Sequence, residues 1–322
     1  MPRDPSVAQL RIASASLSDV GKHRKHNEDM VLVRDDLGLF LVCDGMGGHN
    51  AGDVASKLAT SAIANFFEAT VDAEFGGTPP AGVDHLEPAA LRLHGAIRKA
   101  NRDVFTISTT VQSHQGMGST VVAAYLPGDG MIHVAHVGDS RAYRLSEGEL
   151  EQLTHDHSFI NDVLRMKPDI AADHLAKLPK NVITRALGMR EDVEVDVRSE
   201  PTVAGDVYLL CSDGLSGVVT PEQILEILTL QRDPDAACRQ LIDAANDGGG
   251  RDNISAVVVR IVDDAEGDED TLEQGAAVVA TPDEGGEGLM VEGICSTCGT
   301  ALIEGSQFCV ECGAPIGPIG SR

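Results

Sequence analysis

Four aspartates in this chain stand where apolar strands begin or end. In GLFLVCDGMGGHNAGDVAS, residues 38–56, the run Leu39–Cys43 reads as a buried strand and Asp44 is where the chain leaves it. Gly45, Gly47 and Gly48 then let the backbone adopt positive φ and approach something closely, and a helical pattern starts after Asn50. YLLCSDGLSG repeats the device at Asp213-Gly214, HVGDSRAYRL ends a strand at Gly138-Asp139, and GGGRDNISAVVV sets Asp252-Asn253 just ahead of a strand. RKHNEDM places Arg24 four residues before Glu28, with Asp29 next. Taken singly, each stretch also suits an ordinary turn: Asp-Gly is a common turn pair, Asp44 or Asp252 would serve as a solvated cap, and Arg24 as a surface residue. Taken together they are harder to dismiss, because clustered carboxylates oppose one another's ionisation unless cations neutralise them. An all-oxygen donor set of this kind favours Mg²⁺ or Mn²⁺ over zinc.

A second constellation lies near the C-terminus. CSTCGTALIEGSQFCVECGAP holds Cys295-x₂-Cys298 and Cys309-x₂-Cys312, each pair followed by glycine. Doubled C-x-x-C-G units read as two knuckles around one structural Zn²⁺; a redox or disulfide pair is the competing reading. A segment so small and so poor in apolar residues needs its metal to fold. Cys43, Cys211 and Cys238 sit in apolar or helical surroundings and read as small core residues.

The elements that must position these groups are legible in outline. Strand-like runs cover 30–34, 39–43, 119–125, 131–137, 141–145, 207–211 and 254–262, with helical patterns at about 51–75, 87–112, 158–178 and 221–247. Short loops such as LPGDG between the later strands indicate antiparallel hairpins, and strands and helices that come in groups indicate an α+β fold. Residues 8–262 read as one domain; 263–292, with eleven acidic residues and no Lys or Arg, as an acidic flexible linker; and 293–316 as the Cys₄ zinc ribbon. The polar segment 164–181 suits a flap beside the site. With a net charge of −25, the chain disfavours nucleic acid and anionic membranes as partners. No apolar run approaches the ~20 residues of a membrane span, and nothing near the N-terminus reads as a signal peptide, so a cytoplasmic protein is expected.

The stretches RKHNED, VCDGMGGHNAGDVAS, GMGSTVVAAYL, HVGDSRAYRL, LTHDHSF, NVITRALG, LLCSDGLSGVV and GGRDNISAVVV follow one another across residues 12–262. In that order they resemble the bacterial metal-dependent, PP2C-like serine/threonine phosphatases of the PPM family. The resemblance implies an αββα sandwich, two antiparallel sheets flanked by helix pairs, with a binuclear Mg²⁺/Mn²⁺ centre in the cleft. It implies that Asp44 bridges the two ions, that Gly45 adds its carbonyl oxygen, and that Asp213 and Asp252 are the other direct ligands. Glu28 and Asp29 match residues that hold the ions' water molecules, Asp139 a ligand shared with Asp213 for a third ion, and Arg24 the residue that grips the substrate phosphate. Phosphoserine and phosphothreonine would be hydrolysed by a hydroxide held between the two ions. His49 is the nearby proton donor for the leaving oxygen, or equally a turn residue that touches only water.

His155 and His157 in THDHS would share one face of a strand, and a structural role suits them better than ligation in an oxygen-ligand site. Other phosphatase chemistries fit poorly: no Cys precedes an Arg by six positions, and there is no Gly-x-x-x-x-Gly-Lys-Ser/Thr loop. The expected substrates are phosphorylated proteins, a Ser/Thr kinase and its targets among them, with the ribbon docking a protein partner on its tether. The competing class is a catalytically silent phosphoprotein-binding module with a zinc-ribbon adaptor. The intact Asp44, Asp213, Asp252 and Arg24 weigh against that.

Overall fold

The computed structural model describes residues 10–48, 51–70, 82–171, 174, 178–179, 182–263, 291–294 and 301–303. Residues 10–262 form one compact unit. Its strands are β1 (Leu10–Asp19), β2 (Asp29–Arg34), β3 (Leu39–Met46), β4 (Gly118–Ser119), β5 (Val121–Tyr125), β6 (Met131–Val137), β7 (Arg141–Ser146), β8 (Glu149–Gln152), β9 (Asp196–Pro201), β10 (Val207–Cys211) and β11 (Ile254–Asp263). They make two sheets, one in the order β1-β11-β10-β7-β8 and one in the order β2-β3-β5-β6-β9, with β4 paired to β3. The pairings of β2 to β3, β3 to β5, β5 to β6, β6 to β9, β10 to β7 and β10 to β11 are antiparallel.

The sheets face each other across a core of Phe40, Val42, Val122, Val134, Tyr208, Leu210, Val257 and Val259. The alternate residues of β10 and β11, namely Leu209, Cys211, Ala256 and Val258, turn the other way. They pack on Ile224, Leu228, Leu241 and Ile242 of helices Pro221–Leu230 and Pro234–Asp247. Helices α1 (Ala51–Ala69) and α2 (Pro88–Thr110) cover the second sheet. Four layers bury both faces of the central strands, which is why these strands read as unbroken apolar runs rather than alternating ones.

Some boundaries differ from the sequence reading. The stretch 221–247 is two helices, because the Asp233 carboxylate caps the second through the amides of Asp235 and Ala236, and Pro234 at its first turn cannot continue the first. The first of these two helices opens on a capping box between Thr220 and Gln223. The helix expected over 158–178 spans Phe159–Met166 (α3). The flap segment 164–181 lies partly outside the described residues. Strands β1, β8 and β9 had no sequence signal: they carry Ser, Glu, Asp and Arg at half-buried or exposed positions of sheet edges.

A separate unit contains the antiparallel pair Val291–Ile294 and Ala301–Ile303. Cys295, Cys298, Cys309 and Cys312 lie outside the described residues, as does His49. Among the described residues no helix is long and apolar enough to cross a membrane.

Candidate metal centre

Asp29 and Asp44 are register partners, at the start of β2 and in the last turn of pleat of β3. The Asp44 amide donates to Thr120 Oγ1 (3.0 Å), and its carbonyl accepts from the Thr120 amide (2.8 Å) and Ser119 Oγ (3.1 Å). These bonds fix the backbone and leave the carboxylate free of the ladder. Gly45 and Gly52 meet here. A Cβ on Gly45 would overlap the Gly52 carbonyl oxygen and stand 2.6 Å from that of Glu28. A Cβ on Gly52 would stand 2.7 Å from both the Gly45 carbonyl oxygen and Glu28 Oε1. The glycine-rich stretch was expected to adopt positive φ as well as to approach closely; Gly45, Gly47 and Gly48 are not in the left-handed region, and at Gly45 the requirement is space alone.

Asp139 follows β6 at the point where the chain leaves one sheet for β7 of the other. Gly138, at φ 113°, lies against Thr120, and Thr120 Oγ1 bonds Ser140 Oγ at 2.7 Å. His157 grips this corner: its amide donates to the Gly138 carbonyl (2.9 Å), and its Nδ1 accepts from the Gly138 amide (3.0 Å). Asp213 opens a one-turn helix after β10, and Asp252 precedes β11. Because β10 and β11 are antiparallel, with Cys211 opposite Ala256, the two aspartates emerge at the same end of the sheet.

The sheets are joined at this end by Asp29. Ser212 Oγ and Ser255 Oγ, both from the other sheet's strand ends, each donate to Asp29 Oδ2 at 2.7 Å. Asp29 Oδ1 has no partner, and neither has Oδ1 of Asp139 or of Asp213, although all three atoms are buried. Burial pushes the Asp29 carboxyl up to about 6, against the two serine bonds and with help from Asp213 and Asp252. Burial, then the charges of Asp213 and Asp156, push Asp139 up to about 7. Burial and the charges of Asp29, Asp213, Asp139 and Asp252 raise Asp44 well above the carboxylate range. Asp213 is raised by burial and by Asp252. Mutually repelling carboxylates with unpaired buried oxygens, a bare glycine carbonyl beside them and, among the described residues, no nitrogen or sulfur donor form a set that fits hard divalent cations.

Arg24 stands at the rim. Its Nη2 donates to Asp252 Oδ2 at 2.8 Å, and its Nη1 lies 3.9 Å from Glu28 Oε2. Of the expected site residues, Arg24, Glu28, Asp29, Asp44, Gly45, Asp139, Asp213 and Asp252 are thus brought to one end of the sandwich. Sequence reading missed the supporting groups Thr120, Ser140, Ser212, Ser255 and Asn253. Ser140, Ser212 and Asn253 carried a signal, a small polar residue next to an acid at a strand end, whereas Thr120 and Ser255 have no acidic neighbour and carried none.

The histidines differ from expectation. The segment 153–157 is not a strand; His155 is exposed and His157 buried. His136, His157 and Asp196 bring their ligand atoms within 4.8 Å of one another. Arg185 Nη1 already occupies the cation position there, 2.6 Å from Asp196 Oδ1 and 2.9 Å from His157 Nε2. The two imidazoles are stacked at 4.6 Å, so their lone pairs do not converge on one ion. The cluster is a structural support for the Gly138–Asp139 corner.

A profile described as Protein phosphatase 2C matches residues 22–249, and one described as zinc-ribbon domain matches 294–316. The serine/threonine phosphatase stp of Listeria monocytogenes serotype 4b is 36% identical over 245 residues, 75% of this chain and 93% of that protein. The serine/threonine protein phosphatase PstP of Mycobacterium tuberculosis is 38% identical over 257 residues, 79% of this chain and 46% of that one. Among solved structures, the catalytic domain of PstP in complex with 2 manganese ions has a TM-score of 0.66 at 36% identity. That comparison covers 79% of this chain and all of the domain. The four-layer fold and the sequence match agree, and this chain belongs to the protein phosphatase 2C family.

Proposed function

We propose that this chain hydrolyses phosphoserine and phosphothreonine in proteins, using two divalent cations, Mn²⁺ or Mg²⁺, held by the carboxylates at the open end of the sandwich. The observation that carries the reading is the set of buried, unpartnered carboxylate oxygens of Asp29, Asp139 and Asp213 around Asp44. The names of the relatives and the manganese in the PstP domain structure support it. Asp44 would bridge the ions, with Gly45 through its carbonyl oxygen and Asp213 and Asp252 completing the set. Asp139 with Asp213 would hold a third, and Glu28 and Asp29 would order the surrounding water. Bound there, the cations supply Lewis acidity toward a phosphoryl oxygen and water of lowered pKa.

The chain's own residues do the rest. Arg24 presents a planar donor fork that can take two phosphate oxygens at once. It rests against Asp252 and Glu28, so substrate binding exchanges carboxylate contacts for phosphate contacts. Ser212 and Ser255 lock one oxygen of Asp29 and thereby aim the other into the cluster. His49 is assigned the proton donated to the leaving seryl or threonyl oxygen.

The proposed division of the chain is a phosphatase domain at 8–262, an acidic linker at 263–292 and a ribbon at 293–316 that binds one Zn²⁺ through Cys295, Cys298, Cys309 and Cys312. The ribbon would dock a protein partner, and the substrates would be cytoplasmic phosphoproteins, a Ser/Thr kinase and its targets included. Phosphate release from a phosphothreonine peptide, with Mn²⁺ and with chelator, tests the activity. Release should require the ion and fall on the order of 10²-fold or more in Asp213→Asn. Absence of release from folded, Mn²⁺-supplied protein across several phosphopeptides would overturn the reading in favour of a binding module.

A further inference from the structure

In a chain with 25 Lys and Arg among 322 residues and a net charge of −25, Lys22, His23, Arg24, Lys25 and His26 follow one another without interruption. All five are exposed. The loop that carries them is pinned at both ends. The Lys22 amide donates to the Gly250 carbonyl at 2.7 Å, and the buried Asn253 donates through Nδ2 to the carbonyls of Val20 and His26, each at 3.0 Å. Asn253 Oδ1 accepts from the Glu28 amide at 2.8 Å. Since Asn253 follows Asp252, one side chain ties the basic loop to the rim of the carboxylate centre. The exposed Arg251 precedes Asp252 in the chain.

These cations are not engaged alike. Arg24 is committed to Asp252 and Glu28. Lys22 Nζ reaches Asp247 at 3.6 Å, with both side chains largely in solvent, and such a pair holds weakly. Among the described residues, Lys25 and Arg251 make no ion pair. Nothing in the fold uses their charge, and in the chain Lys25 adjoins Arg24 while Arg251 adjoins the Asp252 that Arg24 contacts. Elsewhere the strongly negative chain repels a phosphorylated protein.

Resting on the phosphatase reading of this site, we propose that the loop Lys22–His26, with Arg251, selects substrates whose phosphorylated residue is flanked by Asp or Glu. An extended peptide advances about 3.3 Å per residue, so side chains two or three positions from the phosphoresidue lie within about one screening length of the bound phosphate. Lys22 and Lys25 flank Arg24 in the loop and meet that segment.

The test compares two phosphothreonine peptides, one with Glu and one with Gln at the flanking positions, on the Mn²⁺-supplied full chain. The expected native preference in kcat/KM for the acidic peptide is about 10-fold at low salt, carried by KM and shrinking as salt rises. In the double variant Lys22→Gln, Lys25→Gln the ratio should fall to about 2-fold, and Lys25→Glu should push it further toward the neutral peptide. A native ratio near one overturns the inference, and so does a ratio that survives the double variant. An equal loss on both peptides would show a merely structural role and overturn it too. Hydrolysis of p-nitrophenyl phosphate, which has no flanks, separates the two levels. A chain that turns it over but treats both peptides alike refutes the charge selection alone. A chain that hydrolyses none of the three substrates refutes the phosphatase reading and the inference with it.

Discussion

Replacing Asp213 by Asn should make the metal-free protein more stable while removing its response to metal. Asp213 is half-buried, its Oδ1 has no partner, and burial together with the charge of Asp252 raises its pKa. Two carboxylates about 5 Å apart at an effective dielectric of about 20 repel by roughly 3 kcal/mol, and proton uptake and water relieve part of this. Asn keeps the volume, drops the charge and can donate to Asp44, so a net gain of ~1–2 kcal/mol is expected. For a domain of this size each kcal/mol is worth about 2–4 °C, which places the melting point of the variant about 2–8 °C above that of the native chain in chelator. Millimolar Mn²⁺ should raise the native melting point and leave the variant's nearly unmoved, because anything that binds only the folded state stabilises it by mass action. Thermal melts of both proteins with chelator and with Mn²⁺ give the four values needed. A variant that melts at or below the native chain in chelator, or that gains as much from Mn²⁺, would refute the view of these carboxylates as mutually repelling ligands awaiting cations.

Gly45→Ala should cost ~3 kcal/mol or more, read as a lowered urea midpoint, because the added methyl meets the backbone oxygens of Gly52 and Glu28 and neither can yield without moving α1 or β2. Asn253→Ala should cost ~2–4 kcal/mol by leaving the Glu28 amide and the carbonyls of Val20 and His26 without their partner, with faster hydrogen exchange at the Glu28 amide as its local signature. Burial pushes the His136 imidazole down to about 4, its bond to the His155 carbonyl opposing and the neighbouring His157 adding to the shift. The folded state therefore binds fewer protons than the unfolded one, whose His titrates near 6.5. The stability is present in full above about pH 6.5 and is lost as the pH falls toward 4, the loss amounting to ~2 kcal/mol at pH 5. Urea unfolding of native protein and His136→Gln at pH 7.5 and pH 5 isolates it from the carboxylate centre, whose raised pKa values act in the opposite sense; equal pH slopes would refute it.

Much of the site was legible because its chemistry is written locally. An acid at the end of an apolar run is visible in five to ten residues, and Asp44, Asp139, Asp213 and Asp252 were each singled out as candidates that way. The central strands were legible too, since burial on both faces requires unbroken apolar runs. The edge strands β1, β8 and β9 were not, because an edge is half solvated and its composition resembles that of a loop. The THDHS histidines misled for a related reason: spacing of two places residues on one face only if the segment is a strand, and this one is not.

What the sequence determined by itself is therefore the inventory: which strands have two buried faces, which carboxylates leave them, and that their number calls for cations. Only the tertiary structure decided how the inventory is assembled. It carries the chain from one sheet to the other at Gly138–Asp139, so that the charge of Asp139 acts on Asp44. It sets Ser212 and Ser255, 183 and 226 residues away in sequence, onto one oxygen of Asp29. It also turns Gly45 from a flexible residue into a gap that two backbones share. The physical reason is range. Propensity and patterning act over a turn or a strand, whereas hydrogen bonds, desolvation and charge repulsion depend on which strand ends the packed sheets bring together.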